Sequence, residues 1–191
     1  MKIETIEIAG FGAALTALRL PFGKQMRSVV TSQTYESKLN QSVESGCVAV
    51  INPDDLKLLQ TLIKRGDEHA KVMRGIVVLA SITAPIYIWS ELETYRAGHE
   101  RLCSESTMHI DCRGLSGDEL VEAKSKIPMG KKLTKVDMFS YQCLRNMVRQ
   151  RHNHRLPEWH QFVDWVRTLP FAEELIFVGL DIEDDHEKVR H

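Results

Sequence analysis

The chain has 191 residues, 43% of them hydrophobic, which is enough to bury one sizeable core and, at this size, favours one domain over two. Its 25 Lys and Arg stand against 26 Asp and Glu, a formal net charge of -1, so no basic excess recommends the whole surface to nucleic acid, and an anion site must be a local cluster. Cys47, Cys103, Cys112 and Cys143 are scattered without a Cys-x-x-Cys pair and follow no cleavable apolar leader, as suits reduced thiols in the cytoplasm.

Ile3, Ile6 and Ile8 among charged neighbours predict a first strand, which Gly10 and Gly12 loosen. Ala13 to Leu20 suits a short helix stopped by Pro21 and Gly23, whereas Ser28 to Ser45 is polar and patternless. Cys47 to Ile51 is a short apolar run ending at Asn52-Pro53. There Asn52 can cap a helix with Pro53 in its first turn, and Leu56, Leu59, Leu62 and Ile63 form its apolar stripe before Gly66. Ile76 to Ile82, rich in β-branched residues, predicts a buried strand, and Pro85 opens a helix towards Arg96. The apolar stretch Ile76 to Trp89 is shorter than the roughly 20 residues needed to span a bilayer, and Ser81, Thr83 and Pro85 interrupt it, so no membrane segment is expected.

Gly98 permits a bend after that helix. Ser116 and Glu119 form a capping-box pattern for a modest helix ending before Pro128, and Gly130-Lys131-Lys132 reads as a loop. From Phe139, the residues Leu144, Met147 and Val148 start an apolar stripe, resumed after Pro157 by Trp159, Phe162, Val163 and Val166. This order, with a helix-rich second half, indicates α+β or α/β with one sheet covered by helices.

Two constellations could carry chemistry. On the Pro85 to Arg96 helix, Glu91 and Tyr95 share a face at i and i+4, and Arg96 at its end can be aimed into a cleft; the competing reading is a core helix with solvated polar residues. In Leu144 to Arg155, helical spacing puts Arg145, Arg149 and His152 on one row and Arg151 and Arg155 on another. That face could clamp phosphate, bind a nucleic-acid backbone, or simply be solvated beside Glu158 and Asp164. His152-Asn153-His154 is too compact for a nuclease motif, and Cys103, His109 and Cys112 lack paired ligand spacing, so no metal is expected. No Gly-x-Ser-x-Gly elbow, Walker A loop or complete Gly-x-Gly-x-x-Gly loop occurs.

The run Ala84-Pro85-Ile86-Tyr87 resembles the Ala-Pro-Ile-Phe that opens a helix ending in Arg-His-Arg in the flavin-dependent thymidylate synthases. Counting without a gap puts Arg96 on the last arginine of that triplet and Ser104 on the second serine of the family pattern Arg-His-Arg-x-x-Ser-x-Asn-x-x-Ser-x-Arg. Met1-Lys2-Ile3-Glu4 and Leu62-Ile63-Lys64-Arg65-Gly66-Asp67-Glu68-His69 resemble two earlier family segments, and Leu144-Arg145-Asn146 is the nearest match to a later Asn-x-Arg. The similarity runs from Met1 to about Ile110 and more loosely beyond. Thr94 and Tyr95 replace the leading Arg-His, His99 the first serine, Arg101 the asparagine and Ser106 the final arginine, while Glu91 stands where the family usually has a nucleotide-binding glutamine.

The resemblance implies an α+β domain over residues 1–170, a mixed sheet covered by helices with a helix-rich C-terminal half, and an acidic C-terminal extension over 171–191. It also implies reductive methylation of dUMP or a related pyrimidine-nucleotide modification. In that reaction reduced FAD supplies hydride, methylenetetrahydrofolate the carbon and NADPH the electrons, in a homotetramer with active sites between subunits. By the same resemblance Arg96 and Tyr95 would meet the cofactor, Glu91, Ser104, Ser106 and Arg145 the pyrimidine deoxynucleotide, and Ser104 would stand at the catalytic position. The departures support a second expectation, a catalytically reduced relative that binds nucleotide or a protein partner without turnover. A third is nucleic-acid binding through residues 145–155, ranked below these because the rest of the chain is not basic.

Overall fold

Strand β4 (Val77–Pro85) lies at the centre of the main sheet, and its alternation shows why. Val78, Ala80, Ile82 and Ala84 are fully buried, while Val77, Leu79, Ser81 and Thr83 on the opposite face are half-buried. The structure is a computed structural model describing residues 1–24, 29–35 and 43–182, with 29–35 and 43–50 described by their backbone alone. β4 pairs with β1 (Lys2–Ala9) on one side and β6 (Lys132–Ser140) on the other, and β5 (His99–Ser104) pairs with β6, giving the order β1-β4-β6-β5. A hairpin of β2 (Val29–Tyr35) and β3 (Val43–Val50) makes a second sheet.

The fold is α+β, as expected, with one correction: among the described residues every strand pair is antiparallel, so the sheet they form is not mixed. Among the described residues no crossover returns a strand alongside its neighbour in the same direction, which parallel pairing would require.

Helices α1 (Phe11–Arg19), α2 (Pro53–Arg65), α3 (Ile86–Leu92), α6 (Tyr141–Arg151) and α7 (Pro157–Arg167) contribute to one core with the buried face of the sheet, through Phe11, Leu59, Trp89, Leu144 and Phe162 among others. Entry to α1 depends on Gly10. Its φ is +90°, and a Cβ there would lie 1.8 Å from the Gly75 carbonyl oxygen, so any larger residue meets both a left-handed backbone and a backbone clash. α2 follows its sequence signals: Asn52 accepts from the Asp54 N–H at 2.9 Å, Pro53 stands in the first turn and Gly66 ends the helix. α4 (Thr107–Ile110) and α5 (Gly117–Ser125) are peripheral and bury none of their residues. Ser116 is the N-cap residue of α5, but its side chain makes no capping hydrogen bond, so the expected capping box does not form.

The expected boundary at residue 170 does not coincide with an edge of the core. Ala172, Leu175, Ile176 and Phe177, in a π-helical turn over Ala172–Phe177, are buried in the same core. The Tyr141 hydroxyl donates to the Pro170 carbonyl at 2.7 Å, and one guanidinium nitrogen of Arg145 donates to the carbonyls of Ile176 and Val178 at 2.6 and 2.9 Å. Residues 183–191 of the expected acidic extension, and the side chain of Cys47, lie outside the described residues. Among the described residues no helix is long and apolar enough to cross a membrane.

Candidate functional site

Pro85 ends β4 and caps α3 with an extended backbone; it is not the helix's first residue. α3 spans only Ile86–Leu92, with Ile88, Trp89 and Leu92 turned into the core and the Trp89 indole N–H donating to the Leu133 carbonyl of β6 at 3.1 Å. The expected run of helix to Arg96 therefore stops a turn early, and Tyr95, half-buried, and Arg96, exposed, belong to the connection that follows. Gly98, at φ +80°, redirects the chain into β5. A Cβ on it would lie 2.3 Å from the Ser140 Oγ, while its carbonyl accepts from the Ser140 N–H at 2.7 Å.

Two polar clusters flank this turn. In the first, a single oxygen of Glu91, Oε2, accepts from the Trp159 indole at 2.8 Å and pairs with Arg151 at 2.9 Å and, more loosely, with the His154 ring at 3.5 Å. The Arg151 guanidinium lies over the Trp159 ring, 4.7 Å from its centroid, and donates through Nε to the Tyr95 hydroxyl at 2.9 Å. Tyr95 in turn donates to Gln150 at 2.9 Å. Glu91 and Tyr95 are thus brought together, but through Arg151 and not along one helix face.

The second cluster lies between the end of α3 and the buried face of β5 and β6. Asp137, fully buried, accepts from His99 through Oδ2 at 2.8 Å and from Arg101 Nε through Oδ1 at 3.4 Å. The other His99 nitrogen faces the Tyr95 carbonyl at 3.1 Å, so each ring nitrogen stands opposite an acceptor. The His99 ring stacks on Phe139 at 4.7 Å. Glu93 accepts from Arg101 at 2.5 Å and Lys135 at 3.3 Å, and both cations lie over the Trp89 ring, at 5.3 and 4.6 Å from its centroid. Burial, and then the nearby Arg101, push the Lys135 pKa down; the hydrogen bond from Arg101 holds Glu93 below the ordinary carboxylate range.

The Glu93 shift gives a pH prediction. A carboxylate whose pKa is lower in the folded state contributes stability that is fully present above its unfolded value and lost as pH falls through the folded one. Glu93→Gln should therefore flatten the acid limb of a stability-versus-pH curve below about pH 4 while leaving the curve's shape near neutrality unchanged. Urea midpoints from pH 2.5 to 7 test it, and an unchanged acid limb would rule out this contribution.

The remaining predicted site residues are dispersed. Arg96 is exposed on the turn. Ser104, at the end of the edge strand β5 and opposite Lys135 in register, is exposed, and its hydroxyl donates to the Glu105 carbonyl at 2.6 Å. Ser106 caps α4 by accepting from the Met108 N–H at 3.2 Å. Arg145 turns to the carbonyls of Ile176 and Val178, and burial, then Arg149, lower its pKa. The anticipated cationic face loses coherence for the same reason. α6 ends at Arg151, so Arg155 is not on its row, Arg145 and Arg151 hold internal acceptors, and Arg149 is exposed on the helix while Arg155 is exposed beyond its end. Tyr87, which stands where the resembled family has phenylalanine, donates its hydroxyl to Glu158 at 2.5 Å.

Glu93, His99, Arg101, Lys135 and Asp137 form a cluster that the sequence did not disclose. The available signal was the alternation of Leu133, Lys135, Asp137 and Phe139, a strand period carried by charged as well as apolar residues. Among the described residues no group of three or more His, Cys, Asp or Glu is arranged to hold a metal ion.

No protein-family model matches the chain, and no curated protein matches it in sequence. Solved structures do match. A flavin-dependent thymidylate synthase ThyX from Helicobacter pylori, complexed with FAD and dUMP, superposes with a TM-score of 0.64 at 12% identity, covering 94% of this chain and 99% of that one. A second structure of Helicobacter pylori ThyX with FAD and dUMP gives 0.63 at 12% identity, over 92% and 97%. At that identity the likeness is one of fold: this chain has a ThyX-like fold along nearly its whole length.

Proposed function

We propose that this protein is a divergent flavin-dependent thymidylate synthase-like protein that binds a pyrimidine deoxynucleotide and carries out reductive methylation of dUMP or a related modification of the pyrimidine. The observation that carries the reading is a fold similar over nearly its whole length to enzymes complexed with FAD and dUMP, together with an Arg96 and a Ser104 that are both exposed. Arg96 offers a forked cation to a phosphate or flavin, and Ser104 a hydroxyl to the nucleotide. When bound, FAD would supply the hydride, with NADPH and methylenetetrahydrofolate as co-substrates.

The residues of one chain fit this cofactor only in part. Tyr95 is engaged by Arg151 and Gln150, Glu91 by Trp159, Arg151 and His154, and Arg145 by two backbone carbonyls, whereas Arg96 is exposed and open to a flavin. A complete site on this reading needs a second copy of the chain, as in a homotetramer. Supporting that need, Leu102, Met108, Ile110, Leu115, Val121 and Met129 are large exposed apolar residues along one segment of chain.

A second reading has its own support. The engagement of Glu91 and Tyr95, with Thr94 in place of an arginine, favours a reduced relative that binds nucleotide without turnover. The purified protein separates the two. The synthase reading expects flavin absorbance, or uptake of added FAD, together with a raised thermal midpoint in dUMP. A colourless protein that refuses FAD but is stabilised by dUMP supports binding alone, and indifference to both overturns the two readings together.

A further inference from the structure

Lys135 and Arg101 present an arrangement that neither reading uses. Both cations lie over the Trp89 ring, their side chains 9% and 27% exposed, and both are met by the same carboxylate, that of Glu93. Glu93 follows directly on α3, anchored by its N–H on the Trp89 carbonyl at 3.0 Å, and its side chain is 51% exposed. A carboxylate so exposed is held by contacts that solvent weakens, whereas the two cations beneath it are fixed by their strands and by the ring.

Their donors are not used up. In the Arg101 fork, Nε donates to Asp137 and Nη1 to Glu93, while Nη2 is buried with no partner among the described residues. The Lys135 ammonium has three N–H groups and, among the described residues, one hydrogen-bond acceptor, Glu93 at 3.3 Å. A buried guanidinium nitrogen without an acceptor among the described residues and two adjacent cations sharing one half-exposed carboxylate together describe a place where a further oxyanion would be better bound than water.

We propose that Lys135 and Arg101, seated on Trp89, form a binding site for the oxyanion group of a small ligand, phosphate or carboxylate, and that Glu93 is the exchangeable side chain that occupies it until the ligand arrives. The ligand's oxyanion replaces Glu93 on Lys135 Nζ and Arg101 Nη1 and adds an acceptor for Nη2, while Asp137 and His99 hold Arg101 from beneath. The site does not depend on flavin chemistry, and its failure would leave the reading of the fold untouched.

The test is titration with inorganic phosphate and, separately, succinate, by calorimetry and thermal unfolding at constant ionic strength, on the wild type, Glu93→Gln and Glu93→Gln/Lys135→Met. Glu93→Gln removes the competing carboxylate, so it should bind at least one of the two anions at least tenfold more tightly than the wild type, and that anion should restore its unfolding midpoint. The double variant should lose both effects. Phosphate preferred over succinate assigns a phosphate ligand, and the reverse a carboxylate. Circular dichroism verifies the folding of each variant. Should the double variant not fold, Lys135→Gln in the wild-type background takes its place and is expected to abolish binding. Equal anion response in all folded variants, or none in Glu93→Gln, would overturn the proposal and leave the cluster a structural ion-pair network.

Discussion

Replacing Asp137 with alanine is expected to lower folding stability by about 3–5 kcal/mol, the range for removing one partner of a buried ion pair. The carboxylate is fully buried and serves two groups at once, His99 at 2.8 Å and Arg101 at 3.4 Å. Without it the imidazole N–H and the guanidinium Nε both lose their acceptor inside a site where water cannot replace it. Asp137→Asn should cost only about 1–2 kcal/mol. Its amide oxygen can still accept from Arg101, and its NH₂ can donate to a His99 ring that keeps one proton, on Nδ1, for the Tyr95 carbonyl. Urea denaturation at pH 7 measures both. Equal losses for the two variants would mean that charge itself, and not the pattern of donors and acceptors, holds this cluster together.

That cluster also marks where sequence reading stops. α2 was legible because its signals are local: Asn52 caps the helix's second residue, Asp54, Pro53 occupies a position that needs no N–H, and Gly66 leaves the helix a few residues after the apolar stripe closes. β4 was legible because its buried face is purely apolar. β6 has the same period, but two of its buried positions are Lys135 and Asp137, made tolerable by Glu93, His99 and Arg101 from elsewhere in the chain. Hydrophobic periodicity cannot register a buried face whose polarity is balanced by distant partners.

The same non-locality explains the site residues. Glu91 and Tyr95 were expected to meet nucleotide and cofactor because of the family resemblance, and within the fold they meet Trp159 of α7 and Arg151 of α6. Arg145 read as a phosphate clamp, and its acceptors are carbonyls 31 and 33 residues later in the chain. Residue types suited to binding anions are equally suited to closing helix ends and bridging elements, and only the fold distinguishes the uses. The Ala84 to Tyr87 run marks a strand-to-helix junction, with Pro85 ending β4 and Ile86 opening α3, in a chain whose fold is ThyX-like.

Trp159→Ala should be as damaging as loss of Asp137, about 3–5 kcal/mol, because truncating a fully buried indole leaves a cavity. Its ring packs edge-on to Phe162 at 5.5 Å and Tyr95 at 6.3 Å, supports the Arg151 guanidinium, and supplies the N–H that Glu91 accepts. Trp159→Phe keeps most of the packing and loses that hydrogen bond, so a loss nearer 1–2 kcal/mol is expected. A double-mutant cycle of Trp159→Phe with Glu91→Ala should return a coupling of about 1 kcal/mol, since each variant removes the same contact. Zero coupling would show that Glu91 is held by Arg151 and His154 alone. The cycle has a functional side as well. If Glu91 is engaged within the fold, Glu91→Gln should lower stability yet leave the dUMP-induced shift of the thermal midpoint unchanged. A changed shift would return Glu91 to the nucleotide, because the substituted amide is the group that the resembled family presents there.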